Sequence, residues 1–214
     1  MDELRVSGAI IRRLPRYYRY LEELMHEGVE RISSQELASR MRVTASQIRQ
    51  DLNHFGGFGQ QGYGYKVDAL YEAIGKIMGI DRVTHIILVG AGHLGQALAN
   101  YTNYRRRGFM IEAIFDKDPA RIGTDVQGIT VRDVETLEDY VAAHNVDIAT
   151  ITIPKEQAVL VADRLVKAGI KAIWNFAHTD LEVPKDVAVE NVHLSESLMN
   201  LSYKLKEMQD SREA

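Results

Sequence analysis

The chain has 214 residues, 45% of them hydrophobic, which is enough for two small domains or for one domain with an appendage. It contains no cysteine, so disulfides, thiolate metal ligands and cysteine nucleophiles are excluded. The net charge of −4 argues against nucleic-acid binding by the chain as a whole, yet positions 4 to 21 carry five arginines and no acidic residue. With neither a signal peptide nor an apolar run of membrane-spanning length, we expect a soluble cytoplasmic protein without a metal site.

The first part of the chain predicts a helix-turn-helix. Apolar residues recur at helical spacing over residues 7–26, and Pro15 indicates that this helix either begins at Leu14 or is kinked there. Two short helices follow, over residues 33–41 and 44–55. The second has outward-facing polar side chains suited to base edges and phosphates, and the basic segment adds two arginines: the expected DNA contacts are Ser46, Gln47, Arg49, Gln50, Asn53, Arg12 and Arg16.

Residues 56–67 interleave glycines with aromatic residues, which is typical of a short β-hairpin. After a helix-turn-helix, such a hairpin is the wing of a winged helix, whose tip contacts the minor groove or the DNA backbone. We expect Gly62, Tyr63 and Tyr65 to lie there. Taken separately, the helix pair fits any small bundle and the glycine run fits a flexible linker. A helix over residues 68–78 follows, and the predicted domain boundary lies at residues 79–81.

A β-branched and apolar run, Ile86–Val89, leads into glycines with GxGxxG spacing and then into a helical pattern over residues 94–106. This order predicts the strand, tight turn and helix start of a dinucleotide-binding unit. In such a unit the first glycine permits the turn, the second lets the backbone approach a pyrophosphate, and the third brings the helix close to the sheet. The predicted cofactor-binding residues of the turn are Gly90, Ala91, Gly92, His93, Leu94 and Gly95.

A second strand, predicted over residues 111–115, ends in Asp116, which follows Gly95 by 21 positions. This is near the spacing of a carboxylate that binds the ribose hydroxyls of NAD and repels the 2′-phosphate of NADP. The alternative is a surface aspartate at the start of a turn, since Asp118 and Pro119 follow. Lys117 is grouped with the cofactor-binding residues, although a solvated side chain is the simpler interpretation.

Strands predicted over residues 129–131, 148–153, 169–176 and 189–193, with a helix over residues 156–167, complete an alternation typical of a doubly wound parallel sheet. Because ligands bind at the carboxyl ends of such strands, the nicotinamide end of the site is expected near five residues. These are Thr152, Pro154, Asn175, Phe176 and Ala177. The alternative for each is an ordinary strand end.

An amphipathic helix over residues 194–208 ends the predicted fold, and its apolar face packs either on its own domain or on a second subunit. The predicted fold class is therefore α/β, with a winged helix-turn-helix domain before a Rossmann-like parallel-sheet domain and a C-terminal helix. The predicted domains are residues 1–80, 81–192 and 193–214.

This arrangement resembles the Rex family of redox-sensing transcriptional repressors over nearly the whole chain. The motifs that carry the resemblance are Arg13–Tyr18, Ser46–Leu52, Phe55–Gly59, Gly62–Tyr65, Val89–Gly95, Gly169–Lys171 and Asn175–Ala177. The resemblance implies a homodimer with a swapped C-terminal helix, which binds NAD(H) and a palindromic double-stranded DNA operator and leaves the DNA when NADH binds. It also implies a switch that involves Arg13, Tyr101 and the residue at position 193.

The chain departs from the family pattern at several positions. Gln50 and Gln61 stand where the family usually has basic residues, which implies fewer phosphate contacts. His193 stands where the family has an aspartate that pairs with Arg13 and Tyr101, so the switch is expected to be rewired or pH-sensitive. His178 stands where proline is frequent.

Two rival functions start from the same motif. An NAD-dependent dehydrogenase needs a proton donor beside the nicotinamide, but no tyrosine is followed four positions later by lysine, and the winged helix takes the length of a catalytic domain. A sensor of another nucleotide or of coenzyme A is the second rival, and Asp116 argues against it.

Overall fold

The computed structural model describes residues 8–53, 59–60 and 64–213, with the side chains of residues 59–60 and 212–213 left aside. The chain divides into two compact units, Met1–Arg82 and Val83–Ala214. Each unit has its own buried core. The two units are therefore described one after the other.

The first unit consists of short helices and a small sheet. Its elements are α1 (Gly8–Ile11), α2 (Leu14–His26), β1 (Arg31–Ile32), α3 (Ser34–Met41), α4 (Ala45–Asn53), β2 (Gly59–Gln60), β3 (Gly64–Lys66) and α5 (Val67–Ile77). Pro15 lies in the first turn of α2, where its missing N–H is tolerated. The predicted helix over residues 7–26 is therefore two helices, and the longer one begins at Leu14.

The predicted helix-turn-helix is formed by α3 and α4. Ser33 caps α3: its side chain accepts from the Glu36 backbone N–H, while the Glu36 side chain accepts from the Ser33 backbone N–H. Arg42 ends α3 in a left-handed conformation at φ 52°. Ile48 and Leu52 of α4 are buried in one core with the apolar face of α2. This shared apolar core holds α4 against α2.

The predicted wing pairs β2 with β3 in an antiparallel hairpin, and β1 pairs with the other side of β3. The hairpin turn itself, residues 61–63, lies outside the described residues, so the predictions for Gly62 and Tyr63 fall there.

The second unit is built on a seven-stranded sheet. Its strands are β4 (Thr84–Val89), β5 (Phe109–Asp116), β6 (Asp125–Val126), β7 (Ile129–Asp133), β8 (Ile148–Ile151), β9 (Ala172–Asn175) and β10 (Ala188–Asn191). Their order is β10-β9-β8-β4-β5-β7-β6, and every pair is parallel except β6 with β7. This is the predicted doubly wound sheet, in which the direction of winding reverses beside β4. The short run at 129–131 is a full sheet member, because β7 pairs with β5.

The helices of this unit are α6 (His93–Ala99), α7 (Asn103–Arg106), α8 (Leu137–Ala143), α9 (Lys155–Lys167) and α10 (Leu194–Glu213), and a 3₁₀ turn precedes α8. The prediction of a single helix over residues 94–106 is wrong, because α6 and α7 are separate helices. Helix α6 ends after Ala99, where the Asn100 side chain donates to the carbonyl of Gln96, and Tyr101 lies in the break. Helix α10 extends beyond the predicted end at residue 208.

The two faces of the sheet are covered unequally. On one face α8 and α9 close the main core, which includes Leu137, Tyr140 and Leu165. On the other face, the smaller core reaches from β4 and β5 to Val131 of β7 and includes Leu98 of α6. Beside it lies an apolar groove of about 430 Å³, lined by residues of β4, β5, β8, β9 and β10 together with α7. In the described part of the chain, no helix is long and apolar enough to cross a membrane.

Candidate functional site

The glycine turn connects β4 to α6 at the middle of the sheet. Gly90 has φ +110°, and a Cβ atom there would lie 2.8 Å from the Thr152 carbonyl oxygen. A Cβ at Gly95 would lie 1.9 Å from the Gly90 carbonyl oxygen. The packing of this unit therefore requires both glycines.

Gly92 is different, because its own protein leaves room for a side chain. Its φ of −70° suits any residue. Apart from its two neighbours in the chain, Arg121 alone among the described residues comes within 4 Å of a Cβ built there, with Nη1 at 3.6 Å. No side chain in the described structure caps the N-terminus of α6. The space in front of Gly92 is thus available to a ligand that approaches the backbone.

Asp116 ends β5 and lies beside this turn. It is only 7% exposed, and its carboxylate accepts from the backbone N–H groups of Ala91 (2.7 Å) and Asp118 (2.9 Å) and from Arg121 Nη1 (3.1 Å). Burial acts to raise the pKa of Asp116, but these three donors outweigh it and hold the pKa below its usual value. An ionised carboxylate is therefore fixed next to the glycine turn.

The remaining residues of the turn differ in exposure. Ala91 is buried, Leu94 is half-buried, and His93 is exposed at the first position of α6. Lys117 is exposed immediately after β5. The structure thus brings the predicted turn residues and Asp116 together at the carboxyl ends of the adjacent strands β4 and β5.

The residues predicted at the nicotinamide end are mostly engaged with the protein itself. Thr152 Oγ1 donates to the carbonyls of Val89 and Gly90, at 3.1 and 2.9 Å, which ties the end of β8 to the turn. Asn175 is fully buried; its Nδ2 donates to Thr179 O and Asn191 Oδ1, and its Oδ1 accepts from Ala177 N.

These bonds occupy the Asn175 amide and shape the loop after β9, and the placement of Asn175 near the nicotinamide end stays a prediction. The other three residues have no such internal hydrogen bonds from their side chains, because Phe176, Ala177 and Pro154 are apolar. Phe176 is half-buried with its ring 4.5 Å from that of Trp174, Ala177 is buried, and Pro154 is exposed at the start of α9.

Two predicted switch residues lie in this unit. Tyr101 is 52% exposed, its hydroxyl accepts from Asn103 Nδ2 at 3.2 Å, and its ring packs edge-on against Tyr104. His193 directly precedes α10. It is nearly buried, its Nε2 is 3.8 Å from Asp180, and its Nδ1 has no hydrogen-bond partner in the described structure.

Helix α4 of the first unit presents a polar surface. Ser46, Arg49, Gln50 and Asn53 are exposed along it, as expected of a DNA-reading helix, and Arg49 Nη1 donates to Ser34 Oγ at 3.2 Å. Gln47, by contrast, is only half-exposed. Its side-chain Nε2 donates to Asp51 Oδ1 at 2.8 Å, one turn further along α4, so this amide is already engaged within the protein.

Asp51 is the buried polar centre of this unit, and sequence reasoning missed its role. Arg13 Nε and Nη2 each donate to its carboxylate at 2.7 Å, and the Tyr17 hydroxyl donates at 2.9 Å. Burial acts to raise the pKa of Asp51, but the hydrogen bonds from Arg13, Tyr17 and Gln47 outweigh it and lower the pKa. The third predicted switch residue, Arg13, thus has a partner on α4, and Asp51 links α4 to Arg13 and to Tyr17 of α2.

The remaining predicted DNA contacts divide by exposure. Arg12 is exposed, whereas Arg16 is half-buried and donates to the carbonyl of Met41. Tyr65 is 8% exposed and belongs to the core of the unit, so its prediction as a DNA contact is wrong. Its position in β3 points it inward because alternate residues of a strand face opposite sides.

Arg121 is a further site residue that the sequence analysis passed over. It follows β5 in the loop before β6 and joins Asp116 to the space in front of Gly92. A cation five positions after the carboxylate that is predicted to bind ribose is the sequence signal for it. No group of three or more metal-ligating side chains occurs in the described ranges.

Comparison with known proteins matches two family models, "CoA binding domain" over residues 81–179 and "Putative DNA-binding protein N-terminus" over residues 5–53. A redox-sensing transcriptional repressor Rex of Thermoanaerobacter pseudethanolicus is 58% identical over 95% of this chain and 91% of its own. The Clostridioides difficile Rex is 58% identical over 94% of this chain and 96% of its own.

Solved structures agree with these relatives. The crystal structure of RSP, a Rex-family repressor, in complex with β-NAD⁺ and operator DNA is 57% identical, with a TM-score of 0.92 over 97% of this chain and 96% of that one. The RSP complex with β-NADH is 54% identical, with a TM-score of 0.90 over 98% of both chains. Both parts of the predicted fold are thereby confirmed, and the chain belongs to the Rex family of redox-sensing transcriptional repressors.

Proposed function

We propose that this chain represses transcription by binding a palindromic operator as a homodimer and leaves the operator when NADH binds. The observation that carries the proposal is the open space in front of Gly92, beside the fixed carboxylate of Asp116. The packing of the protein alone does not require a glycine at position 92. The exposed polar face of α4 supplies the DNA-reading surface on the same chain. The RSP complexes with β-NAD⁺, β-NADH and operator DNA support the transfer of both ligands to this chain.

The dinucleotide would bind across the glycine turn. Its pyrophosphate would lie against the backbone of Gly90–Gly95, and the adenosine ribose would hydrogen-bond to Asp116. The nicotinamide would lie towards Thr152, Pro154, Phe176 and Ala177, at the carboxyl ends of β8 and β9. We expect NADH to be preferred over NADPH because Asp116 is ionised.

DNA would be read by α4 in the major groove, through Ser46, Arg49, Gln50 and Asn53. Arg12 would add a phosphate contact, and the hairpin tip with Gly62 and Tyr63 would lie in the adjacent minor groove. Since much of the affinity comes from phosphate contacts, operator binding is expected to weaken as salt increases.

A second copy of the chain would cover two apolar surfaces of the second unit. The first is the face of α10, whose side chains Leu194, Leu198, Met199, Leu201, Tyr203, Leu205 and Met208 are all at least 55% exposed. The second is the groove beside α7, where Tyr104 and Trp174 pack edge-on. Exposed apolar area of this extent is typical of an interface, and exchange of α10 between subunits would bury it.

NADH would act by binding the non-DNA-binding form of the dimer more tightly than the DNA-binding form. Residues 1–80 would carry the DNA surface, residues 81–192 the dinucleotide and residues 193–214 the dimer contact. Arg13, Tyr101 and His193 would transmit the change between them. As a regulator of chromosomal operators, the protein would act in the cytoplasm.

The test is an electrophoretic shift assay with a palindromic site, in which NADH is expected to release the purified chain and NAD⁺ is not. A parallel titration with NADH, NAD⁺, NADPH and acyl-CoA compares ligands; coenzyme A is included because the matched family model bears its name. DNA binding that is the same at every ratio of NADH to NAD⁺ would contradict the proposal, and turnover of NADH would reveal an enzyme.

A further inference from the structure

We propose that Arg121 is a specificity-determining residue of the dinucleotide site, which lowers the discrimination against a 2′-phosphate that Asp116 alone would impose. This inference rests on the proposed binding of NADH. It concerns the choice between two ligands that differ only at the adenosine ribose.

The placement of the guanidinium is the first step. Nη1 of Arg121 is 3.1 Å from Asp116 Oδ2, and Nε is 3.6 Å from Asp118 Oδ2. The same Nη1 would be 3.6 Å from a side chain at Gly92. The guanidinium therefore lies between the ribose-binding carboxylate and the phosphate-facing turn, where the adenosine ribose of a bound dinucleotide belongs.

The hydrogen bonds of Asp116 give the second step. Its Oδ1 accepts from Asp118 N, and its Oδ2 accepts from both Ala91 N and Arg121. The two backbone donors are fixed by the strand end and the turn, whereas the Arg121 side chain is 41% exposed, so its displacement would break little packing. Ribose hydroxyls that bond to Asp116 would displace Arg121 from Oδ2 and leave its charge at the edge of the ribose.

The charges give the third step. Asp116 repels a 2′-phosphate, but a guanidinium held beside it offers planar, charge-assisted hydrogen bonds that suit phosphate oxygens. A 2′-hydroxyl gains much less from the same group because it carries no charge. The effect of Arg121 on affinity is thus expected to be larger for NADPH than for NADH. Exposed Lys117 is a second cation in this loop, and it stays in place in every variant proposed below.

The experiment measures the Kd of NADH and of NADPH for the full-length protein and for Arg121→Ala, Arg121→Lys and Arg106→Ala by titration of nicotinamide fluorescence. For Arg121→Ala we expect NADPH to bind about tenfold more weakly, which corresponds to the loss of roughly one charge-assisted hydrogen bond. The affinity for NADH should change by less than about threefold, since the ribose of NADH would still hydrogen-bond to Asp116. Arg121→Lys should recover part of the NADPH affinity.

Arg106→Ala is the matched control, because it removes the same charge from an exposed position on α7. Its ratio of NADPH to NADH affinity should stay within about twofold of the wild-type ratio. An unchanged ratio in Arg121→Ala, or an equal loss of both ligands, would overturn the inference and leave Arg121 as a support for Asp116. A wild-type protein that binds neither dinucleotide would instead overturn the proposed function.

Discussion

Replacing Gly92 by alanine is expected to abolish the response to NADH without harming the fold. The backbone at position 92 has φ −70° and ψ −174°, which alanine adopts without strain. The nearest described atom to the added methyl group is Arg121 Nη1 at 3.6 Å, an ordinary van der Waals distance. Alanine lowers the entropy of the unfolded chain, which stabilises the fold by up to about 1 kcal/mol, but it is a poorer N-cap for α6 than glycine. The two effects oppose each other, so stability should change by less than about 1 kcal/mol.

The Gly92→Ala change is expected to weaken the binding of NADH. A methyl group in front of the turn would push the pyrophosphate away from the backbone N–H groups, and each lost hydrogen bond to a charged group costs about 1.5–3 kcal/mol. One such bond corresponds to roughly 10–150-fold weaker NADH binding. The operator should still be bound, but NADH at the wild-type working concentration should no longer release it.

Gly95→Ala is the comparison for this test. Its Cβ would meet the Gly90 carbonyl oxygen at 1.9 Å and Leu88 Cδ2 at 3.0 Å, so the turn must shift. We expect a lower melting temperature for Gly95→Ala and a wild-type melting temperature for Gly92→Ala, measured alongside NADH titration and the DNA-shift assay. Wild-type NADH affinity in Gly92→Ala, or unfolding comparable to that of Gly95→Ala, would refute the reasoning.

Three further predictions follow from the two units. Arg49→Ala should remove at least about 1 kcal/mol of operator affinity and leave the Kd of NADH unchanged, as measured by DNA shift and fluorescence; equal loss of both would contradict its place on the reading helix. Asp51→Asn should lower the free energy of unfolding by about 2–3 kcal/mol. This is less than the loss expected on breaking a fully buried ion pair, because the Arg13 side chain is 30% exposed. Since the pKa of Asp51 is lowered in the folded state, its stabilisation is present above about pH 4 and lost as the pH falls further, so the melting temperature of the variant should depend less on acid than that of the wild type. Leu198→Glu should shift the protein towards monomer in analytical ultracentrifugation and weaken operator binding, whereas a Glu variant at exposed Ser202 should not; unchanged sedimentation of Leu198→Glu would count against α10 as the dimer contact.

The parts of the fold that were predicted correctly depend on local signals. Glycine spacing between an apolar strand and a helix is readable over a few residues, and Gly95 is required by its close approach to the Gly90 carbonyl oxygen within the same turn. The break at Pro15 is likewise a local property of the backbone. The glycine turn, the doubly wound parallel sheet and the winged helix were therefore predictable from the sequence.

Other side-chain roles depend on hydrogen-bond partners that the sequence pattern does not reveal. Asp51 is held by Arg13, 38 positions away, and Gln47, four positions away on the same helix, also donates to Asp51. Asn175 bonds to Asn191 of the next strand, 16 positions away. Gln47 was assigned to the DNA from its place on the helix, because periodicity does not reveal which buried carboxylate a polar side chain meets.

Helix α10 has a consequence for mixtures of subunits. A helix of 20 residues with exposed side chains throughout its described length gains little from its own subunit, so pairing of two chains would complete the fold and make thermal stability depend on dilution. Such chains would pair irrespective of their DNA-reading helices. A copy carrying Arg49→Ala, produced in excess within the same cell, would then pair with wild-type chains and form mixed dimers in which only one α4 binds DNA. Such mixed dimers would derepress the target genes in a dominant manner.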